Sequence, residues 1–525
     1  MVSDNAIVPG TVYLIGAGPG DPGLITVRGL QLLQTADVIV YDRLAHPSLL
    51  QHARAGADKI YVGKASSQHA MRQPDINELL VQQAHLGKMV ARLKGGDPYV
   101  FGRGGEEAAR CREAGIKFEV VPGVTSAIAA GAYAGIPVTH RDAASSFAVI
   151  TGHERDDQAQ AGKAEGRRNW KNIANAADTL VFLMGIENLA EISCKLIDNG
   201  RSSDTPAALV QWGTWPTQRV VTGVLENIVE VAANAQITSP AVCIVGDVVS
   251  LREQLRWFDD TQTRPLFGKR ILVTRAREQA SVLSDKLRLL GADPIEFPTI
   301  KIVARENNAE LDSAIESLST YEWLVFTSPN GVDVFADEML RCGRDARQLA
   351  GCRIAALGPA TASQLRLRLG VVADYVPGEA VAEAVLAEWP DKNIAGKSIL
   401  LPRAAEARDV LPDGLRAMGA TVDVIPVYDT VLDTSSVEQL KDEIASGSLQ
   451  ALTFTSSSTV TNLIQAIGTP SREELQKLLK PSVIFAIGPV TARTLSENGV
   501  EAVVVSADHT IPGLLETILN HYSSF

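Results

Sequence analysis

Three glycine-rich segments of this 525-residue chain recur at the ends of predicted strands and carry charged or hydroxyl side chains. They are Lys94–Pro98, Phe101–Glu107 and Val121–Ser126. Ligands of open α/β sheets bind at the carboxyl ends of the strands, where glycine lets the backbone approach a ligand closely. One such segment can be no more than a tight turn. Three of them together indicate a binding site for a small molecule.

A further glycine-rich segment, Gly16–Gly23, suggests a dinucleotide-binding fold, but its spacing is wrong. The third glycine of the G-x-G-x-x-G pattern would be residue 21, which is Asp21. A carboxylate followed by Pro22 removes the amide donors and the positive helix end that a pyrophosphate requires. Gly396–Ser398 is not a Walker loop either, because the partner glycine would be Asp391. We therefore expect no NAD or FAD.

The elements that must position these segments follow an α/β pattern, because apolar strand-like segments alternate with helix-length segments. The polar stretch 153–172 predicts a loop. A short polar run predicts a linker at about 258–266, which leaves 1–258 and 266–525 as two halves with 259–265 between them. The strands predicted in the first half are Val12–Ile15, Val38–Tyr41, Met89–Leu93, Phe118–Val121, Ala148–Thr151, Thr179–Met184, Ala207–Val210 and Val242–Val245.

The composition excludes several classes of protein. Hydrophobic residues make up 46% and charged residues 21%, which is typical of a globular enzyme. We find no apolar run long enough to span a membrane and no signal peptide, so we expect a cytoplasmic protein without a membrane partner. Five cysteines without a C-x-x-C pair argue against disulfides and a metal site, and we expect no metal. A net charge of −12 disfavours a nucleic-acid partner.

The second half repeats itself. Gly268–Leu272 returns 128 residues later as Gly396–Leu400, and Phe326–Ser328 returns at the same distance as Phe454–Ser456. A constant offset predicts a duplicated α/β unit, and two similar domains that face each other across a cleft. The repeated turns are rich in Ser and Thr. Such turns are ordinary helix caps when they occur singly, but their duplication indicates a common binding site.

Eight short motifs of the first half are specific in combination. With them, residues 10–258 resemble the tetrapyrrole methylases, and most closely the uroporphyrinogen-III C-methyltransferases. The resemblance implies two α/β domains with the active site between them, and a homodimer formed through this half. It also implies methyl transfer from S-adenosylmethionine to C2 and C7 of uroporphyrinogen III, which gives precorrin-2 for sirohaem or cobalamin. The motifs are Gly16–Asp21, Tyr41–Arg43, Val62–Lys64, Leu93–Pro98, Phe101–Glu107, Pro122–Ser126, Gly135–Arg141 and Thr151–His153.

The same resemblance implies roles for individual residues. Asp42 would be the general base or charge stabiliser for the attacking pyrrole carbon and Lys64 the matching acid, whereas a helix cap is the structural alternative for Asp42. A sulfonium cofactor suits backbone amides and carbonyls, one carboxylate and a soft apolar wall. The residues implied for the S-adenosylmethionine pocket are Pro19, Gly95, Gly96, Asp97, Val100, Thr125, Ser126, Met184, Gly213 and Ala241.

The substrate implied by the resemblance carries eight carboxylates, so its site needs several cations. The candidates inside matched motifs are Arg43, Arg103, Arg141 and Lys64, with Glu106 for the pyrrole N–H groups. An exposed arginine is often only a solvated charge, and we expect this of one of the four.

The second half has its own resemblance. Val273–Arg275, Leu401–Arg403 and Pro426–Tyr428, together with the duplicated turns, resemble uroporphyrinogen-III synthase over about 266–525. The resemblance implies one lobe from about 266–297 plus 428–525 and another from about 300–425. The reaction would close hydroxymethylbilane to uroporphyrinogen III with inversion of ring D and loss of water. Holding a flexible substrate against uncatalysed closure to the symmetric isomer requires orientation above all.

In that reaction Tyr428 would donate a hydrogen bond to the leaving hydroxyl group. The carboxylates of the substrate would be bound by Thr327, Ser328, Ser457 and Thr491, with backbone amides. Two alternatives belong to other classes. The first half could methylate RNA or protein, and the second half could be a clamp that senses a ligand without converting it.

Overall fold

The computed structural model describes residues 10–54, 56–63, 71–153, 169–274, 277–297, 300–305, 307–391, 393–432, 437–468 and 471–523. It confirms the α/β prediction, with four five-stranded sheets. The chain forms two compact units. One holds the described residues up to 271, with 285–294 and those from 518 onward, and the other holds 272–284 and 295–517. None of the described helices combines the length and the apolar character that crossing a membrane requires.

The first sheet contains only parallel neighbours, in the order β3-β2-β4-β1-β5. Its carboxyl ends therefore lie along one edge, where the glycine-rich segments meet. Its strands are β1 (Thr11–Gly16), β2 (Val38–Tyr41), β3 (Asp58–Tyr61), β4 (Val90–Lys94) and β5 (Lys117–Val121). The helices of this region are α1 (Val27–Thr35), α2 (Gln73–His85), α3 (Gly104–Glu113) and α4 (Ser126–Tyr133).

The second sheet is mixed, in the order β6-β7-β10-β8-β9, with β6 and β7 parallel and the other neighbours antiparallel. Helix α4 packs on this sheet, since its buried alanines share a core with strands β7, β8 and β10. The strands are β6 (Phe147–Thr151), β7 (Thr179–Leu183), β8 (Pro206–Gln211), β9 (Arg219–Val224) and β10 (Ala241–Val245). The helices are α5 (Trp170–Ala174), α6 (Leu189–Asp198), α7 (Ile228–Asn234) and α8 (Arg252–Leu255).

Two strands of the first half were not predicted. Strands β3 and β9 both lie at sheet edges, where exposed positions interrupt the apolar pattern that identifies a buried strand. The loop predicted at 153–172 is wrong at its end, because helix α5 begins at Trp170. The side chain of Asn169 caps it by accepting a hydrogen bond from the Asn172 amide at 3.1 Å. Residues 154–168 lie outside the described chain.

The segment predicted as a polar linker packs against the first half. Phe258 and Leu266 are buried, and the ring of Phe258 lies 4.7 Å from that of Tyr133 and 5.5 Å from that of Phe267. The apolar residues at the two ends of the run outweigh its polar middle. The boundaries proposed for the two halves stay a prediction.

The second half supplies the remaining ten strands and eleven helices of the described chain. The strands are β11 (Arg270–Val273), β12 (Asp293–Glu296), β13 (Ile300–Ala304), β14 (Trp323–Phe326), β15 (Arg353–Ala356), β16 (Ser398–Ala404), β17 (Thr421–Leu432), β18 (Ala451–Phe454), β19 (Val483–Ala486) and β20 (Val503–Val505). The helices are α9 (Arg277–Leu289), α10 (Ala309–Glu316), α11 (Pro329–Arg341), α12 (Pro359–Leu369), α13 (Ala382–Ala387), α14 (Val410–Ala417), α15 (Val437–Ala445), α16 (Ser457–Ala466), α17 (Arg472–Leu479), α18 (Pro489–Glu497) and α19 (Ile511–Ser523).

The duplication is visible in the two sheets of this half. Their orders are β12-β11-β18-β19-β20 and β13-β17-β16-β14-β15. Strand pairs at the offset of 128 residues, such as β11 with β16 and β14 with β18, occupy equivalent places in the two sheets. Each sheet therefore combines strands from both copies of the repeat. A single repeat is not a domain by itself, and the chain must pass between the sheets to complete either one.

Candidate active site

A cavity of about 650 Å³ lies in the first half, between the carboxyl ends of the first sheet and strands β7, β8 and β10 of the second. All ten residues predicted for the cofactor line it. Pro19 follows β1, and 95–100 follow β4. Thr125 and Ser126 stand at the start of α4, and Ala241 begins β10. Met184 follows β7, and Gly213 lies after β8. Residues spread over more than 200 positions thus meet at one place.

Gly96 of the cavity wall touches the backbones of two further glycines. A Cβ atom on Gly123 would lie 2.3 Å from the carbonyl oxygen of Gly96 and 2.6 Å from the Cα of Gly16. Asp97 holds this contact together. One of its oxygens accepts a hydrogen bond from the Gly123 amide at 3.0 Å, and the other accepts from the amides two and three residues further on, at 2.7 and 3.1 Å. Its carboxylate shapes the loops, which leaves backbone groups and hydroxyls to face a ligand.

Four residues of the cavity wall adopt a left-handed backbone without being glycine. They are Phe101 (φ 53°), Arg103 (φ 59°), Met184 (φ 57°) and Trp212 (φ 49°). Such conformations cost about 1–3 kcal/mol each and persist where the surroundings determine them, often at functional sites. Their concentration here indicates a wall shaped for a ligand rather than for stability.

Asp42, the predicted base, follows β2 and lines the cavity. It is not the N-cap of a helix. One carboxylate oxygen accepts from the Leu44 amide at 3.1 Å, and the other accepts from the guanidinium of Arg92 at 3.1 Å. Lys64, the predicted acid, lies outside the described residues.

The structure places two of the four predicted cations in the cavity wall. Arg43 and Arg103 line the cavity, and the guanidinium of Arg43 lies 5.7 Å from the ring centre of Trp212. Arg103 binds both oxygens of Glu106, at 2.9 and 2.7 Å. Neither Glu106 nor the exposed Arg141 is part of the wall. Their predicted contacts with substrate therefore stay predictions that the cavity does not favour.

A group of buried charges beside Asp42 was not predicted. Arg92 and Lys94 line the cavity, and both bind Glu107, which has no exposed surface. Burial lowers the pKa of Lys94, although the neighbouring Glu107 opposes the shift. A signal was available in the sequence. Two basic residues at alternate positions of an otherwise apolar strand point to one face of the sheet.

The aromatic part of the wall was also missed. Trp212 and Trp215 line the cavity with ring centres 5.4 Å apart, and the ring of His46 lies 4.5 Å from that of Trp215. Burial lowers the pKa of His46 to about 4. A neutral imidazole thus supports the aromatic wall from behind. Apolar aromatic residues in a turn after a strand gave no pattern from which this role could be predicted.

The predicted residues of the second half form two separate groups. The Tyr428 hydroxyl lies 2.9 Å from the Oγ of Ser328, which also caps α11 by accepting from the Gly331 amide at 3.1 Å. Ser457 begins α16 and accepts a hydrogen bond from Thr494 of α18 at 2.9 Å. The remaining two predicted residues are the half-buried Thr327, just before α11, and the buried Thr491, in the first turn of α18.

One group of potential metal ligands occurs in the described residues, on α10 and α11. Asp312, Glu338 and Cys342 have ligand atoms within 4.8 Å of one another. Arg341 binds both carboxylates, so half of their negative charge is already compensated. The prediction that the protein needs no metal stays a prediction.

Comparison with known proteins gives two family matches. Residues 11–229 match the tetrapyrrole (corrin/porphyrin) methylases, and residues 281–516 match uroporphyrinogen-III synthase HemD. The porphyrin biosynthesis protein HemD of Ruminiclostridium josui is 40% identical over 514 residues, which is 97% of this chain and 98% of that protein. The chain belongs to the family of tetrapyrrole methylases fused to uroporphyrinogen-III synthase.

This fused methylase and synthase also resembles proteins that correspond to one half alone. A uroporphyrinogen-III C-methyltransferase of Priestia megaterium is 52% identical over 241 residues, 46% of this chain and 99% of that protein. A crystal structure of uroporphyrin-III C-methyl transferase from Thermus thermophilus, complexed with S-adenosyl homocysteine, is 39% identical. It covers 46% of this chain and 100% of that one, with a TM-score of 0.39. The predicted enzyme classes, a C-methyltransferase followed by a synthase, are confirmed.

Proposed function

We propose that the methylase half transfers methyl groups from S-adenosylmethionine to C2 and C7 of uroporphyrinogen III and yields precorrin-2. The observation that carries this proposal is the cavity in which all ten predicted cofactor residues meet Asp42 and several cations. When bound, S-adenosylmethionine supplies the methyl group on a sulfonium sulfur. The backbone groups of Gly95 and Gly96, the hydroxyls of Thr125 and Ser126 and the apolar wall fit such a group.

The residues around the cavity have different roles in the proposed reaction. Arg43 and Arg103 bind carboxylates of the substrate, and the aromatic wall around Trp212 packs against its pyrrole rings. As the carbon–carbon bond forms and the carbon–sulfur bond breaks, positive charge spreads over the attacking pyrrole. The carboxylate of Asp42 stabilises that charge and then receives the proton that the ring must lose.

We propose that the synthase half converts hydroxymethylbilane to uroporphyrinogen III with inversion of ring D and loss of water. Its support is the family match over 281–516 together with the hydrogen bond between the buried Tyr428 and the half-buried Ser328. The Tyr428 hydroxyl donates a hydrogen bond to the departing hydroxyl group. Thr327, Ser457 and Thr491 bind carboxylates. The alternative of an RNA or protein methylase is less well supported, because the synthase half would make the substrate that the methylase half consumes.

The proposed homodimer and cytoplasmic location rest on the family resemblance and on the sequence, respectively. Neither alters the assignment of residues within one chain.

Asp42→Asn tests the assignment of the methylase half. The change keeps the shape of the side chain and removes its charge, so turnover with supplied uroporphyrinogen III should fall by roughly 10²–10⁴-fold. Binding of S-adenosylmethionine, measured by calorimetry, should be retained. Asp75→Asn is the matched control, because Asp75 pairs with Arg72 on the exposed surface and does not line the cavity. Unchanged turnover in Asp42→Asn would contradict the role of Asp42, and failure of the wild-type protein to methylate would contradict the function itself.

A further inference from the structure

Arg92 is held rigidly beside the proposed catalytic carboxylate. Its side chain is 3% exposed. One terminal nitrogen donates to the carbonyl oxygens of Val40 and Leu93 at 3.4 and 3.0 Å, and the other donates to Asp42 at 3.1 Å. The Nε atom donates to Glu107 at 3.2 Å. All three nitrogens are engaged, so the guanidinium cannot turn away from Asp42 without breaking several hydrogen bonds.

Glu107 anchors this arrangement from behind. It has no exposed surface, and one oxygen accepts hydrogen bonds from Arg92, from Lys94 at 2.9 Å and from Gln73 at 3.1 Å. Its other oxygen has no hydrogen-bond partner within the described residues. With Asp42, the group contains two carboxylates and two cations, so its charges balance.

Stability does not account for such a group. Buried ion pairs lose hydration that their attraction barely repays, and apolar residues of equal volume often serve stability as well. The group stands at the cavity, with Asp42, Arg92, Lys94 and Gln73 all in the wall. The alternation of side chains along strand β4 places Arg92 and Lys94 on the sheet face against which α3 packs. A costly group in that position indicates a functional role.

We propose that Arg92, anchored by Glu107, is a positioning residue for methyl transfer that fixes the Asp42 carboxylate towards the reacting pyrrole. This inference rests on the proposed role of Asp42. The Leu44 amide holds one oxygen of Asp42 and Arg92 holds the other, so the carboxylate has a single orientation. Without Arg92 it would be free to rotate, for instance towards the adjacent Arg43. Misplacement of a reacting group by about 1 Å can cost about 10²-fold in rate.

A double-mutant cycle on kcat tests the proposal. Its four proteins are the wild type, Asp42→Asn, the charge-balanced pair Arg92→Gln with Glu107→Gln, and the combination of all three changes. The pair should lower kcat about 10- to 100-fold in the wild-type background, in line with the cost of misplacement. In the Asp42→Asn background it should lower kcat less than about threefold, since residues that act through one another are not additive. The Kd for S-adenosylmethionine should not change.

Three further variants keep the test decisive. Arg110→Gln with Glu78→Gln removes an Arg–Glu pair that joins α3 to α2 outside the cavity, and it should leave kcat unchanged. Arg92→Lys keeps the positive charge but loses the several hydrogen bonds of the guanidinium. It should therefore lower kcat while the protein stays folded, even if the variant with Arg92→Gln and Glu107→Gln does not fold. Its combination with Asp42→Asn gives a second cycle.

Equal losses of kcat in both Asp42 backgrounds, or wild-type kcat without Arg92, would overturn the inference. Wild-type turnover of Asp42→Asn alone would instead refute the proposed role of Asp42, and the inference with it. The two failures are therefore distinguishable.

Discussion

Replacing Tyr428 by Phe removes one hydroxyl group from the synthase half and keeps the ring. The ring is 5% exposed and packs in the core beside β14 and α11, so this packing should remain. The hydroxyl makes a neutral hydrogen bond of 2.9 Å with Ser328, which keeps its bond from the Gly331 amide. The free energy of unfolding should therefore fall by only about 1 kcal/mol, the usual net value of one hydrogen bond.

The effect on activity should be larger than the effect on stability. A hydrogen bond to the leaving hydroxyl would lower the barrier by about 1–3 kcal/mol, so its loss should slow the synthase by roughly 5- to 150-fold. Uncatalysed closure would then compete, and the symmetric isomer should accumulate. Chromatography of the oxidised products from hydroxymethylbilane measures both. Methylation of supplied uroporphyrinogen III should be unchanged.

Tyr321→Phe is the matched control for this variant. It removes another phenol hydroxyl of the same half, which donates to Asp423 at 2.7 Å, and leaves the pair of Tyr428 and Ser328 intact. The synthase activity should remain. A Tyr428→Phe protein that forms only isomer III at the wild-type rate would refute the reasoning, and Tyr428 would then be a packing residue.

Three other predictions concern the methylase half. Gly123→Ala should cost about 2 kcal/mol or more in thermal unfolding and weaken binding of S-adenosylmethionine, because its Cβ would lie 2.3 Å from a backbone oxygen. Gly105→Ala, with open space around its Cβ, should do neither. Since the pKa of His46 is about 4 in the folded protein and its ordinary value is 6.5, the unfolded chain binds the extra proton between those values. Stability should fall by about 3 kcal/mol as the pH drops from 6.5 to 4, and His46→Asn should lack this part of the pH dependence, as urea titrations will show. A fragment 1–258 should still methylate uroporphyrinogen III, but its melting temperature should lie below that of a fragment 1–268, by roughly 2–4 °C for each kcal/mol of lost packing. Equal melting temperatures would show that the linker segment adds nothing to the stability of the first half.

Much of the fold follows from patterns that the sequence displays directly. Buried strands such as β2 and β10 are continuous apolar runs, so their positions could be predicted to within a residue or two. The edge strands β3 and β9 could not, because half of their residues face water. The repeat offset of 128 revealed the duplication, but it carries no information on long-range strand pairing. The combination of strands from both copies in each sheet was implied only by the lobe boundaries of the family resemblance.

The candidate active site could likewise be predicted only in part. The hydroxyls and most of the glycines lie in short motifs, Met184 ends a predicted strand, and the structure brings them to one cavity. Arg92 and Glu107 were missed because each resembles an ordinary charged residue until the fold buries them together. The position of Glu107 next to Glu106 shows how little separates them in sequence. Glu107 turns towards the buried cations, whereas Glu106 pairs with Arg103 at the surface. Only the phase of helix α3 decides which of the two glutamates is buried.

One reaction tests both proposed activities of the protein most directly. The purified full-length protein is incubated with hydroxymethylbilane and S-adenosylmethionine, and the products are followed by absorbance and chromatography. We expect precorrin-2, with two molecules of S-adenosylhomocysteine released for each tetrapyrrole, without any added synthase or methyltransferase. Uroporphyrinogen III that accumulates unmethylated would contradict the assignment of the first half, and formation of the symmetric isomer alone would contradict the assignment of the second.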